Sequence, residues 1–495
     1  MPSPGRLRVL GFVLAAAGFL CTARPASAVR IMVYNTLRYP GLDIDIPRLL
    51  AFRNIIADAD PDMVLAVEII GATQASRFRL DVLEAVSPGE WAFSTFSSLG
   101  DLSVVAYYKT AVFDDLGGAI NITGDPRDTR RWHFQLDGYA SSDAGFYPLG
   151  MHLKAGSTAT DQARRATTTT NARVSSNAFF APTDRWFYCG DFNMQSSSEL
   201  AYADLTESQA DNDGQAIDIH NPNLFVQNWN NNGVFAFIHT QSTRTANLGD
   251  GGATGGLDDQ FDFILMSSQL LQTTGLSYIP GSYRAYGQDA LHFNSPVNAA
   301  PTNADVGQAL ADDLHIASDH LPVLIDLQVP AKVSADQAVL DFGTVSIGAA
   351  ADLTLTVSNA ATLSDPEDLS YSFAAPAGFT APAGGFAHTV GAPGNAHTIS
   401  MDTSTTGVKS GTLVIDSNDL DLPALNVTVM GEVVPGVLGD LSGNGSVGTE
   451  DIPLFVALLL DPGAATQPDR DTADMNGDTD NDGDDIQLFI AALVP

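Results

Sequence analysis

Six short apolar runs, Ile31–Tyr34, Met63–Val67, Val104–Tyr108, Trp186–Cys189, Phe263–Met266 and Val323–Leu327, constrain residues 29–330 more than any other feature. Runs this short, bounded by polar residues, suit buried strands better than helices. Helix-like or polar stretches separate them, so the segment predicts a mixed α/β domain whose strands end in functional loops. The full chain of 495 residues needs more than one core, and two to four domains are expected. After Pro330 the texture changes. Residues 331–434 are rich in Thr, Ser, Gly and Val with period-two runs such as Leu353–Val357 and Gly411–Ile415, the pattern of a β-sandwich.

The first residues read as an address. Arg6 and Arg8 precede the apolar run Val9–Leu20, and Ala26, Ser27 and Ala28 offer a cleavage site, so residues 1–28 are an expected signal peptide. The apolar run is too short to span a bilayer, and no later one reaches that length. The chain is therefore expected to be secreted or extracellular, without a membrane span. Of the two cysteines, Cys21 belongs to the leader, and Cys189 alone cannot close an intramolecular disulfide. Net charge is −35, which argues against a general DNA-coating or anionic-membrane protein. The one locally cationic stretch, 127–173, holds Arg127, Arg130, Arg131, Lys154, Arg164, Arg165 and Arg173. Arg164 and Arg165 follow a helix-capping Thr160–Asp161 and read either as a solvated helix face or as a phosphate contact.

Chemistry-bearing residues stand at strand ends. Asn35 closes the first run, Glu68 the second, and His152 a third, while Asp191 and Asn193 follow Trp186–Cys189. Residues two apart on a strand share a face, so Asp191 and Asn193 point together. Asp319 and His320 precede the last strand, with Asp262 a candidate partner for the histidine. Each is ambiguous alone: a terminal glutamate can be an edge carboxylate, and a lone histidine is commonly structural. Together Glu68, Asp191, Asp262 and Asp319 cannot share one pocket without a cation, and oxygen ligation favours Mg²⁺, Mn²⁺ or Ca²⁺.

In this order Tyr34–Asn35, Val67–Glu68, His152–Leu153, Gly190–Asn193, Asp262–Leu265 and Ser318–Pro322 resemble the motifs of the endonuclease/exonuclease/phosphatase superfamily over residues 29–330. The resemblance implies a four-layer α/β/β/α sandwich. It also implies that Asn35, Glu68 and Asp319 hold Mg²⁺, that Asp191 orients the attacking water, and that Asn193 binds the scissile phosphate. His320, oriented by Asp262, would stabilise phosphate charge or transfer a proton, and His152 would be a second catalytic histidine. Whether His320 or Asp191 is the base stays open. Ala66–Val67 stands before the glutamate where Leu-Gln is commoner, but the carboxylate is kept. Tyr286, His292, Asn294 and His315 are candidates for lining the cleft.

Residues 435–495 carry an internal repeat. Asp440, Ser442, Asn444 and Asp451 occupy positions 1, 3, 5 and 12 of a calcium loop, with Gly445 at the sharp turn. Asp474, Asn476, Asp478, Asp480 and Asp485 repeat the pattern, and Ile452, Leu454, Phe455 and Leu459 recur as Ile486, Leu488, Phe489 and Leu493. Thr479 replaces the turn glycine, and Asn481 an apolar residue. With Asp at position 12 and one helix after each loop, the tail resembles a type I dockerin. That implies Ca²⁺ in both loops and a cohesin-like protein partner. Val339–Gly348 resembles the opening of bacterial immunoglobulin-like spacer modules. The leading expectation is an exported, metal-dependent phosphoesterase acting on extracellular nucleic acid. The alternatives are a sphingomyelinase-type or small-molecule phosphatase, and a non-catalytic assembly protein that docks through calcium.

Overall fold

The computed structural model describes residues 28–363 and 366–494, so the expected leader, residues 1–28, lies outside the described residues except for Ala28. Among the described residues no helix is long and apolar enough to cross a membrane.

Two sheets fill residues 28–330. In the first, the path runs Ser277–Tyr278, Val323–Gln328, Ala28–Tyr39, Met63–Ile69, Ser103–Lys109, Trp91–Phe93. In the second it runs Ala216–Ile217, Asp262–Ser267, Trp186–Asp191, Gly145–His152, Thr129–Arg131, Ile120–Ile122. Strand alternation explains the layering, because successive side chains point to opposite faces. Ile31, Val33, Leu65 and Val67 of the first sheet meet Phe146, Phe187, Cys189, Ile264 and Met266 of the second in one buried cluster between the sheets. The alternate residues Met32, Tyr34, Val64 and Ala66 face outward onto the helices Ile46–Ala59 and Gly307–Ala317. On the other side, Leu149, Met151, Trp186 and Tyr188 pack with Ala172 and Leu205 of the helices Ala159–Phe179 and Leu200–Thr206. The order of layers is helix, sheet, sheet, helix. Each fully buried large apolar side chain contributes roughly 1.5–3 kcal/mol, so the strand ends emerge from a rigid block.

The cationic stretch does not form the expected surface. Arg165 is wholly buried and makes an ion pair with Glu199 at 2.8 Å. Arg131 lies over the Phe179 ring at 3.2 Å, Arg130 donates to Asn121 at 2.7 Å, and Arg164 pairs with Asp125 at 2.5 Å. Neither a solvated face nor a free phosphate contact describes Arg165: it knits the helix to the loop after Asn193. The N-cap is Thr158, two residues before the expected Thr160, with Thr158 and Asp161 forming a reciprocal capping box.

Beyond residue 330, a four-stranded and a five-stranded sheet enclose one apolar cluster that includes Leu355, Val357 and Ile399 from one and Leu340, Leu413 and Val427 from the other. The last segment has helices Ile452–Leu460, Gln467–Ala473 and Asp485–Leu493, with the Phe455 and Phe489 rings stacked at 3.9 Å.

Candidate active site

The site is the last rung of the core between the sheets. Strand parity carries Asn35 onto the face of Val33, and Asp191 onto the face of Cys189, so polar groups finish layers that apolar ones begin. In the second sheet, Asp191 is the register partner of both His152 and Asp262. Three functional side chains therefore come from one cross-strand row. Gly190 permits the close approach in that row: a Cβ there would lie 1.9 Å from the Met151 carbonyl oxygen, and its φ is +131°.

The first sheet supplies the opposing wall through a break in its register. Pairing shifts between Ala66 and Ile69, and again between Asn35 and Tyr39. Such irregularities re-aim side chains near functional sites. Glu68 sits inside the break with φ +67°, a strained conformation for this residue costing on the order of 1–3 kcal/mol. Asn193 also has positive φ, +50°, which asparagine tolerates better than most residues.

Contacts join the two walls. Asn35 Nδ2 donates to Asp191 Oδ2 at 3.0 Å and to Glu68 Oε1 at 3.3 Å. His152 Nε2 lies 3.5 Å from Asp191 Oδ2 and 3.7 Å from Glu68 Oε1. His320 Nδ1 is 2.7 Å from Asp262 Oδ2, and its Nε2 is 3.8 Å from Asp191 Oδ2. Ser318 Oγ donates to the Asn35 carbonyl at 2.7 Å, tying the last motif to the first. Asn193 donates its backbone N–H to Asp191 Oδ1 at 3.0 Å and its side-chain amide to the Leu153 carbonyl at 3.4 Å.

Burial sets the electrostatics. It pushes the Asp191 carboxyl up to about 7; His320 opposes the shift, and Asp262 and Glu68 add to it. Glu68 is raised by burial as well. Burial disfavours the His320 imidazolium, but Asp262, Asp319 and Asp191 outweigh it and raise this histidine well above its ordinary range. His152 is held well below that range by burial, with Arg127 and His320 adding to the effect, and so is neutral. Its Nδ1 is buried without a partner.

Among the described residues, the metal-ligand atoms that converge are those of Glu68, His152 and Asp191, all within 4.8 Å of one another. Of the expected ligands Asn35, Glu68 and Asp319, Glu68 belongs to this group of acidic and histidine side chains. Asn35 turns its NH₂ to the carboxylates, because its Oδ1 accepts from the Leu37 N–H at 3.0 Å. Asp319 stands to one side, its Oδ2 accepting from the Ala253 N–H at 2.6 Å and its Oδ1 buried without a partner.

Sequence reasoning missed Gln241. Its backbone bridges to both Asp259 and His320, and its Nε2 lies 2.5 Å from His320 Nε2 and 3.4 Å from Asp319 Oδ2. An amide in a polar stretch carries no periodic signal that would single it out. Three of the cleft-lining candidates serve elsewhere. Tyr286 is buried and donates to Asp58; His292 closes its own loop against Asp289 and the carbonyls of Ala299 and Pro301; His315 belongs to the helix Gly307–Ala317. Asn294 donates to Asn231 at 2.9 Å.

No protein-family description matches the chain, and no curated protein does. Solved structures similar to it include the human Nocturnin catalytic domain with bound sulfate anion, at 15% identity over 61% of this chain and 93% of that one, TM-score 0.35. Another is D. rerio TDP2 complexed with single strand DNA product, at 15% identity over 61% and 100%, TM-score 0.38. A third is an endonuclease/exonuclease/phosphatase from Beutenbergia cavernae DSM 12333, at 13% identity over 82% and 100%, TM-score 0.34. Likenesses this distant leave the chemistry to be read from the site's own atoms: a four-layer α/β chain with a buried centre of carboxylates and histidines.

Proposed function

We propose that residues 29–330 form a divalent-metal-dependent phosphodiester hydrolase. The observation that carries this reading is a histidine charged through Asp262 that faces, across 3.8 Å, a buried carboxylate poised near neutrality. The site suits a hard cation. The carboxyls of buried Asp191 and half-buried Glu68 stay raised by burial although His320 partly offsets the shift, and the unpartnered Asp319 Oδ1 adds a further oxygen donor. Glu68 would hold the ion, with Asp191, His152 and Asp319 as further donors. Bound there, Mg²⁺, Mn²⁺ or Ca²⁺ would polarise a phosphoryl oxygen and neutralise charge as it develops.

The chain's own groups do the rest. Asp191 takes a proton from the attacking water, whose oxygen bonds to phosphorus. Asn35 keeps Asp191 and Glu68 aligned, and the Asn193 amide binds a phosphate oxygen. One ester P–O bond breaks, and the leaving oxygen receives a proton from His320 Nε2. His320→Ala should lower turnover on a soluble chromogenic phosphodiester by about 10²–10⁴. A loss under tenfold in a folded variant overturns the assignment.

Recognition of nucleic acid loses part of its expected support, because Arg165 is buried against Glu199 and Arg131 against Phe179, while the more exposed Arg164 is paired with Asp125. Assays on duplex DNA, RNA, sphingomyelin and a phosphomonoester separate the substrates. The same reading gives the chain an export leader and a C-terminal module that docks a cohesin-like partner through Ca²⁺. What supports the calcium part is a shared loop pattern. Asp440 accepts from the N–H of Asn444 and Gly445, as Asp474 does from Asp478 and Thr479. Asp451 accepts from Ser442 and Gly448, as Asp485 does from Asn476 and Asp482.

A further inference from the structure

The two ring nitrogens of His320 are held in different ways. Nδ1 lies 2.7 Å from Asp262 Oδ2, a carboxylate that accepts, so this nitrogen carries a proton. Nε2 faces Gln241 Nε2 at 2.5 Å, Asn35 Nδ2 at 3.4 Å and Asp191 Oδ2 at 3.8 Å. The Asn35 amide is already engaged with Asp191 and Glu68, at 3.0 and 3.3 Å. Gln241 is therefore the amide that reaches Nε2.

Main-chain bonds put it there. The Gln241 N–H donates to the Asp259 carbonyl at 3.1 Å, and its own carbonyl accepts from the N–H groups of Asp258 and Asp259, each at 2.9 Å. One residue earlier, the Thr240 carbonyl accepts from the Leu321 N–H at 2.8 Å, and Thr240 Oγ1 accepts from the N–H groups of Phe261 and Asp262 at 3.2 Å. Two residues later, the Thr243 N–H donates to the Asp319 carbonyl at 3.2 Å, and its Oγ1 to the Ser318 carbonyl at 2.6 Å. Residues 240–243 are thus stitched to the segments that carry Asp262 and His320. A change of the Gln241 side chain leaves all of these bonds in place.

The chemistry of the ring suits an amide at this point. Protonated on both nitrogens, His320 offers an N–H at Nε2 and needs an acceptor; once neutral it offers a lone pair and needs a donor. A carboxylate only accepts and an ammonium only donates. An amide does either, because a turn of about 180° about its last bond exchanges its oxygen and its NH₂. In the step described above, the Nε2–H bond breaks, the proton goes to the leaving ester oxygen, and the electron pair stays on Nε2. Gln241 can accept from Nε2 before that step and donate to it afterwards, so the ring does not swing about its bond to Asp262.

We propose that Gln241 is a positioning residue whose amide holds His320 at Nε2 before and after the ring gives up its proton, and so aims that proton at the leaving oxygen; the aiming rests on the hydrolase reading above. The test is Gln241→Met in the full chain, which keeps the length and removes both polar atoms. With Mg²⁺ supplied, kcat on a soluble phosphodiester should fall by about 10- to 100-fold with KM within about threefold, since a group misplaced by about 1 Å can cost about 100-fold. In a His320→Ala background the same substitution should cause no further loss, because it acts through that ring. A second readout needs no turnover: the ¹⁵N-histidine spectrum of the metal-free chain, with the His320 signals identified by their disappearance in His320→Ala. The Nε2–H signal should be present in wild type and lost to exchange with water in Gln241→Met, while the Nδ1–H signal stays. Gln241→Asn, which withdraws the amide by one methylene, should repeat both results. An undiminished kcat, equal losses in the two backgrounds, or an unchanged Nε2–H signal overturns the proposal. A wild type that cleaves no diester but shows the spectral change refutes the hydrolase and leaves the clamp. Cleavage with an unchanged spectrum and equal losses refutes the clamp and leaves the hydrolase.

Discussion

The site between the sheets and the two loops of the tail both gather carboxylates, but they are held in different ways. Around Asp191 the geometry comes from strands locked by a large shared core. Around Asp440 and Asp474 it comes from the acids themselves, which accept loop N–H groups above a cluster of only four buried residues, Phe455, Leu458, Ala473 and Phe489. A scaffold-held site should lose chemistry and keep its fold when a side chain is removed. A self-held site should lose its fold.

The largest expected effect tests the first half of that contrast. Asp191→Asn should lower turnover on a soluble phosphodiester by about 10²–10⁴ with an unchanged circular dichroism spectrum. Unfolding of this variant would place the carboxylate in the scaffold. The second test addresses the tail. A module of this size is marginal on its own core, so chelator should remove the helicity contributed by Ile452–Leu460 and Asp485–Leu493, and Ca²⁺ should restore it. Far-ultraviolet dichroism of the full chain, with and without chelator, reads this, and an unchanged spectrum would erase the contrast.

A third, smaller effect concerns pH. The folded Asp191 and Glu68 carboxyls lie above their unfolded values, Asp191 at about 7, so their contribution to stability is intact at low pH and is lost as pH rises through that range. The metal-free first domain should therefore melt at lower temperature at pH 8 than at pH 6. Added Mg²⁺ should recover the difference at pH 8 and do little at pH 5. A melting temperature independent of Mg²⁺ at pH 8 would mean that the carboxylates are compensated in another way. The smallest effect is local. Thr479 holds φ +75° where the first loop has Gly445 at +89°. Thr479→Gly should stabilise the second loop by about 1 kcal/mol, read as tighter calcium binding in a calorimetric titration.

The layers and the strand-end residues were legible because short apolar runs and strand parity are local signals. Asn35, His152 and Asp191 each close a strand run that the sequence displays, and Asp262 opens one. What stayed hidden depends on partners far along the chain. Arg165 looks like a surface residue until Glu199 closes over it, and Arg131 until Phe179 does. Gln241 acquires a role only because its segment crosses beside His320. The strain at Glu68 follows from a pairing shift that no propensity encodes.

The row His152, Asp191, Asp262 has a consequence for how such a protein can change over time. Strand register acts on it as a reading frame acts on a message. A single-residue insertion or deletion inside Trp186–Asp191 would turn the carboxylate to the helix side and bring its neighbour into the row. Insertions in the loops beyond the strand ends leave the frame intact. Lineages of this chain are therefore free to lengthen loops and alter what approaches the site, while the three strands beneath it accept substitutions and almost no change of length.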